Sequence, residues 1–82
     1  MAEISVDIMA FGILKDTLGH DWFVWRHPEP ARVLDLRNWL KQFPTIHPQL
    51  PIAVVFDQTY QPDDFEIKDG MKLYLMPPVS GG

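Results

Sequence analysis

The sequence predicts a small α+β domain in which one main helix lies across a mixed β-sheet. Residues 3–11 and 71–76 alternate between apolar and polar side chains, and residues 33–43 carry an apolar stripe at helical spacing. A period of two indicates a half-buried strand, whereas steps of three and four indicate an amphipathic helix. Because 82 residues bury only a modest core, we expect one domain over residues 1–76, followed by a flexible tail over residues 77–82.

Two strands are predicted in the first third of the chain. In residues 3–11, EISVDIMAF, isoleucine and valine alternate with other side chains and fall on one face. Residues 22–26, WFVWR, are aromatic and β-branched and indicate a second strand. Residues 15–21, KDTLGHD, contain a glycine and two aspartates, so we predict a hairpin connection between the two strands.

The main helix is predicted from apolar residues that step by three, four and three positions: Val33, Leu36, Leu40 and Phe43. Arg32 occupies the N-cap position, where Ser, Thr, Asp or Asn is preferred, so the start of this helix is only weakly marked. Pro44 and Pro48 end the helix and favour an extended loop after it.

The second half of the chain adds two more strands. Residues 52–56, IAVVF, form a short apolar run that is typical of a buried strand. Asp69–Gly70 is a turn signal directly before the last strand, residues 71–76. The order strand, strand, helix, strand, strand, with the last strand running centrally, predicts a β-grasp (ubiquitin-like) fold.

Composition excludes several classes of function. The net charge of −4 argues against nucleic-acid and anionic-membrane partners, which attract basic surfaces. The chain contains no apolar run of the ~18 residues that a membrane span needs, and its first residues lack the features of a signal peptide. Cysteine is absent, so disulfides, thiolate metal sites and thiol nucleophiles are excluded. A cytoplasmic protein fits these observations.

The side chains offer no catalytic constellation. A zinc site needs three or four clustered ligands, and the three histidines lack partners at such spacing: His20, His27 and His47. We therefore expect no metal site. Neither a glycine-rich phosphate loop nor a nucleophile elbow is present.

The last six residues, PPVSGG, raise a different possibility. Two prolines, two glycines and two small residues cannot pack a core, so a role outside the domain is expected for this segment. The α-carboxylate of Gly82 is the one unusual functional group that the sequence offers.

The ending LYLMPPVSGG (residues 73–82) closely resembles that of the MoaD-like small subunits of molybdopterin synthase, which belong with ThiS to the ubiquitin-like sulfur carriers. The similarity continues through segments that resemble the family's strands, turns and helix: MAFGILKDTLG, VLDLRNWL, IAVVFDQTY and IKDGMKLYLM. The chain departs from the family at Lys15–Asp16, at Arg32 and at residues 55–57, where arginine-glutamate, threonine and asparagine are more usual. None of these departures lies in the tail.

The resemblance implies a sulfur carrier that has no catalytic side chains and no permanently bound cofactor. A MoeB-like, ubiquitin-activating-type adenylyltransferase would use ATP to adenylate Gly82, which would then become a thiocarboxylate. The sulfur would pass to cyclic pyranopterin monophosphate in a MoaE-like large subunit, within a heterotetramer. The tail residues that would thread into that subunit precede Gly82: Pro77, Pro78, Val79, Ser80 and Gly81.

The resemblance also suggests where the large subunit would dock. Phe11, Tyr60 and Met76 match apolar interface positions of the family, and alternation places Phe11 and Met76 away from the buried sheet face. We predict that the three form an exposed apolar patch near the root of the tail. The competing interpretation is that they are apolar residues scattered over the surface.

Two other functions stay open. A ubiquitin-like modifier would be joined to lysines through Gly82 after the same adenylation, and a related carrier would supply sulfur for thiazole synthesis. PPVSGG lacks the arginines of ubiquitin-type tails, and thiazole carriers are usually shorter and lack the double proline. Both differences favour the molybdopterin synthase subunit.

Overall fold

The structure is a computed structural model that describes residues 2–44, 46 and 51–76. Its elements are, in chain order, β1 (Glu3–Ala10), α1 (Ile13–Leu18), β2 (Trp22–Pro28), β3 (Ala31–Arg32), α2 (Val33–Leu40), β4 (Ala53–Phe56), β5 (Thr59–Tyr60), β6 (Glu66–Ile67) and β7 (Lys72–Met76). Within the described ranges, no helix is long and apolar enough to cross a membrane.

The main sheet is mixed and has the strand order β2-β1-β7-β4-β5. The last strand, β7, is central: it runs parallel to β1 and antiparallel to β4. Strands β3 and β6 form a separate two-stranded sheet. The predicted α+β architecture of the β-grasp type, with the last strand in the middle of the sheet, is confirmed.

The core lies between the inner face of the sheet and helix α2. The sheet contributes residues that are at most 1 % exposed: Ile4, Val6, Ile8, Val54, Leu73 and Leu75. Helix α2 buries Val33, Leu36 and Leu40, as the apolar stripe predicts. The predicted extension of the helix to Phe43 is wrong, because the helix ends at Leu40; Phe43 lies beyond it and still packs against the core.

The start of α2 is stabilised by groups other than an N-cap side chain. The Arg32 backbone N–H donates to the Asp35 carboxylate at 2.8 Å. The next two backbone N–H groups, of Val33 and Leu34, donate to the carbonyls of Phe65 and Asp63 at 3.1 and 3.0 Å. These bonds satisfy donors that a helix end otherwise leaves unpaired, which explains how arginine is tolerated at this position.

Residues 15–21 lie in the connection between two antiparallel neighbours, β1 and β2, as predicted, but this connection contains helix α1, which was not predicted. Leu14 is fully buried and Leu18 packs against the core. Because residues four positions apart lie on the same face of a helix, these two side chains pack one face of α1 against the domain. The helix ends at Leu18, and the φ of its C-cap residue, Gly19, is 80°, which lies in the left-handed region that glycine adopts readily. The packing of one buried and one partly buried leucine outweighs the turn signals of this segment.

The turn predicted at Asp69–Gly70 is confirmed. The Asp69 carboxylate accepts a hydrogen bond from the Ser5 backbone N–H at 2.8 Å, and the Gly70 N–H donates to the Ser5 carbonyl at 2.9 Å. Gly70 has a φ of 85°. The turn is thereby fixed to β1 and delivers β7 into the centre of the sheet.

Candidate docking site

The structure brings the three predicted interface residues together on the outer face of the sheet. Phe11, Tyr60 and Met76 line one concavity of about 380 Å³, which we call the docking patch. The described residues that complete its lining are Val55, Gln58 and Tyr74. The prediction that these side chains form one surface, and are not scattered, thus agrees with their positions, whereas their role in binding stays a prediction.

Strand pairing explains why these residues meet. Tyr74 alternates with the buried Leu73 and Leu75 and therefore faces outward. Val55 of β4 is the register partner of both Tyr74 and Tyr60, so the three side chains form one row across β7, β4 and β5. Phe11 follows β1, and its ring stacks on that of Tyr74 with centroids 6.0 Å apart.

The docking patch is exposed and carries no formal charge on its lining residues. Phe11, Met76 and Tyr60 are 41, 38 and 74 % exposed. Single exposed apolar side chains are ordinary, but a contiguous set marks a surface for another macromolecule. The arrangement suits the docking of a partner whose own contact surface is apolar at its centre.

The same row continues to the opposite edge of the sheet. Met9 is the register partner of Tyr74, and Trp22 is the register partner of Met9. The row parallel to it contains Asp7 and Lys72, which are register partners and exposed. The outer face is therefore apolar at the end where β7 stops and charged towards the end where β7 begins.

Strand β7 ends at Met76, within the docking patch. The predicted tail residues lie outside the described residues: Pro77, Pro78, Val79, Ser80, Gly81 and Gly82. In the sequence, residue 77 follows Met76 directly.

The hairpin of β4 and β5 holds one side of the docking patch. Its two turn residues, Asp57 and Gln58, both have positive φ, at 53° and 63°. The side-chain amide of Gln61 donates to the carbonyls of Phe56 and Thr59 at 3.2 and 3.3 Å. These bonds fix the hairpin and, with it, the position of Tyr60.

In the part of the chain that the structure describes, no group of three or more His, Cys, Asp or Glu side chains lies close enough to hold a metal ion. His20 is exposed. The Nδ1–H of His27 donates to the Pro28 carbonyl at 2.8 Å. His47 lies outside the described residues.

A family model matches residues 8–82, which include nearly the whole domain and the Gly-Gly pair. The chain belongs to the ThiS family. Its domain is thus of the ubiquitin-like ThiS/MoaD type in sequence and fold. No curated protein sequence matches the chain.

Solved structures confirm the fold of this ThiS-family chain. A Pyrococcus furiosus protein provisionally assigned as molybdopterin converting factor, subunit 1, matches with a TM-score of 0.81 at 24 % identity, covering 93 % of this chain and 99 % of that one. SAMP1 from Haloferax volcanii matches with a TM-score of 0.78 at 23 % identity, covering 95 and 99 %. Caldiarchaeum subterraneum ubiquitin matches with a TM-score of 0.69 at 16 % identity, covering 99 and 100 %. At these identities the likeness establishes the β-grasp fold.

Three lining residues of the patch were not among the predicted interface residues of this ThiS-family chain. Val55 and Tyr74 could have been found, because each alternates with a buried neighbour and so faces outward. Gln58 carries no such signal. Gln58 reaches the patch because its backbone adopts a positive φ, and the sequence does not predict such a conformation for a glutamine.

Proposed function

We propose that this chain is the small, sulfur-carrying subunit of a molybdopterin synthase. Its place in the ThiS family supports the carrier role. The observation that carries the more specific proposal is the docking patch, whose lining includes Met76, the last residue of β7 before residues 77–82. A body that docks beside the root of its own tail can direct that tail into a neighbouring active site.

The proposed chemistry takes place at the Gly82 carboxylate. That carboxylate attacks the α-phosphorus of ATP in a MoeB-like enzyme and releases pyrophosphate. A persulfide then displaces AMP from the acyl adenylate and forms an acyl disulfide, and a thiol cleaves the S–S bond to leave the thiocarboxylate and a disulfide. In a MoaE-like large subunit, the thiocarboxylate sulfur would form a C–S bond with an oxygen-bearing carbon of cyclic pyranopterin monophosphate, as the C–O bond of that carbon breaks and its oxygen leaves as water or on phosphate. Water hydrolyses the resulting thioester and regenerates the Gly82 carboxylate.

The residue types of the tail suit this role. Six residues reach at most about 20 Å when fully extended, so Gly82 can enter a partner while the domain stays outside. Glycine lacks Cβ, which lets residues 81 and 82 pass a narrow channel. Pro77 and Pro78 fix φ and discourage the tail from folding back on the sheet. In this proposal the large subunit, and not the carrier, would provide the groups that act on the pterin.

As the family resemblance implies, the carrier and the large subunit would assemble as a heterotetramer. The chain's net charge of −4 is compatible with a large subunit that is basic around its entrance. Because the MoeB-like enzyme must also receive Gly82, it would engage the carrier before the large subunit does.

A protein modifier is the second candidate, and the similarity to SAMP1 supports it as well. In that function the activated Gly82 carbonyl would be attacked by a lysine amine, releasing AMP and forming an isopeptide bond. The docking patch could then serve an activating enzyme alone. A sulfur carrier for thiazole synthesis is a third candidate, and the double proline argues against it.

One reconstitution separates these functions. The full chain is incubated with a MoeB-like enzyme, ATP and a persulfide donor, and its intact mass is measured. It is then mixed with a MoaE-like large subunit and cyclic pyranopterin monophosphate, and molybdopterin is quantified. We expect one oxygen-to-sulfur exchange at Gly82, followed by molybdopterin. A thiocarboxylate that yields no molybdopterin but supports thiazole formation, or a carrier recovered only on lysines, would overturn the proposal.

A further inference from the structure

We infer that Gln58 determines partner specificity in the docking patch, by hydrogen-bonding a main-chain peptide group of the partner at the edge of an otherwise apolar contact. The inference rests on the proposed function, because it takes the large subunit as the partner that covers the patch. It adds a polar recognition element to a surface otherwise described by its apolar and aromatic side chains.

Gln58 differs in chemistry from the other lining residues of the patch. Those are aromatic or aliphatic: Phe11, Val55, Tyr60, Tyr74 and Met76. The Gln58 amide offers one acceptor oxygen and two N–H donors, more than the hydroxyl of a tyrosine. Among the described residues, no side-chain hydrogen bond holds Gln58, whereas Gln61 of the same hairpin uses its amide on the Phe56 and Thr59 carbonyls. The Gln61 side chain stabilises the hairpin, and the Gln58 side chain faces the patch.

The backbone at Gln58 is unfavourable for its residue type. Its φ of 63° lies in the left-handed region. Glycine and asparagine adopt this region readily, whereas for most other residues it is unfavourable in free energy. A two-residue hairpin turn with positive φ at both positions strongly prefers asparagine-glycine or aspartate-glycine. This chain has Asp57–Gln58 there. A glycine would relieve the strain at residue 58 but would remove the amide from the patch.

Residues with strained backbone conformations cluster at functional sites, where the side chain has a function that glycine could not perform. The use cannot lie in core packing, because Gln58 is exposed. A main-chain peptide group offers one donor and one acceptor, and the Gln58 amide can pair with either one. A partner that covers the patch without such a group would strip water from the amide and leave it unpaired, which penalises incorrect partners.

Three variants of the full chain test the inference. Gln58→Met keeps the length of the side chain and the strained backbone but removes the amide. Gln58→Gly removes both side chain and strain. Asp57→Gly is the matched control, because Asp57 also has positive φ, at 53°, and does not line the patch.

Binding of each variant to a purified MoaE-like large subunit is measured by titration calorimetry, and each melting temperature is recorded. Loss of one hydrogen bond should weaken binding of Gln58→Met and Gln58→Gly about three- to tenfold, with Asp57→Gly close to the original chain. The melting temperature should stay unchanged in Gln58→Met. In both glycine variants it should be equal or higher, by up to about 5 °C.

Two results would overturn the inference, and they can be told apart. If the original chain binds the large subunit and Gln58→Met binds it equally well or better, Gln58 has no specificity role and the proposed function stands. If the original chain does not bind the large subunit at all, the proposed function fails, and the inference fails with it.

Discussion

Truncating the Phe11 side chain should weaken binding to the partner while leaving the domain folded. Phe11 is 41 % exposed, so of the roughly 200 Å² of an aromatic side chain about 80 Å² is available for a partner to cover. At ~25 cal/mol per Å², covering that area contributes ~2 kcal/mol, which corresponds to about thirtyfold in Kd. We therefore expect Phe11→Ala to weaken binding to a MoaE-like large subunit by about this factor. Loss of the stacking contact with Tyr74, at 6.0 Å between centroids, should cost the domain only ~0.5–1.5 kcal/mol.

The matched control is Leu34→Ala. Leu34 is 46 % exposed, close to the value for Phe11, but it belongs to α2, which packs on the inner face of the sheet. Titration calorimetry on both variants, with circular dichroism to verify folding, is the assay. A folded Phe11→Ala variant that binds as tightly as the original chain, or that loses no more affinity than Leu34→Ala, would refute the assignment of the patch.

Two further predictions concern the stability of the domain. Leu36 lies fully buried on the core face of α2, so Leu36→Ala should lower the free energy of unfolding by ~2–5 kcal/mol in a denaturant melt. A loss within experimental error would show that Leu36 is not part of the core. Arg37 donates to the Asp63 carboxylate at 2.6 Å and to the Ile52 carbonyl, and its side chain is 27 % exposed. Arg37→Met should therefore cost ~1–2 kcal/mol, reduced by solvent screening at Asp63; an unchanged melt would show that these contacts contribute nothing.

Much of the fold could be predicted because its main elements have unambiguous periods. Ile4, Val6 and Ile8 alternate along β1 and all are buried, and Leu36 and Leu40 keep the helical spacing of α2. These patterns show which face of a strand or helix is buried in the core. That property depends only on the spacing of apolar residues within one element, so it can be predicted from the sequence.

Helix α1 could not be predicted with the same ease. Its sequence contains turn-forming residues and is followed by glycine, and only Leu14 and Leu18 indicate a helix. Two apolar residues are too few to predict a helix against the turn signals of the sequence. In the folded domain, the burial of Leu14 stabilises the helix. Isolated helices of six residues are not stable, so α1 depends on tertiary packing that no local pattern contains.

Part of the candidate site could likewise be predicted from the sequence, and part could not. Phe11, Tyr60 and Met76 were predicted to meet from a family resemblance together with strand alternation, and they line one concavity. Gln58 could not be predicted, because its position follows from positive φ in a two-residue turn that lacks the usual glycine. Contacts set by strand register are accessible to sequence reasoning, and contacts set by an atypical turn are not.

The central claim is that the functional group of this protein is the carboxylate of Gly82, and changing its position by one residue tests that claim most directly. Deleting Gly82 moves the terminal carboxylate back by about 3.5 Å, and adding one residue moves it forward by as much. Both shifts exceed the roughly 1 Å error that can already cost about a hundredfold in rate. The measurement is the rate of molybdopterin formation in the complete reconstitution, with stability checked by thermal melts.

We predict that both variants melt like the original chain and form no molybdopterin above background. A chain extended past Gly82 that is shown by intact mass to be unprocessed, and that still forms molybdopterin at the normal rate, would contradict the account.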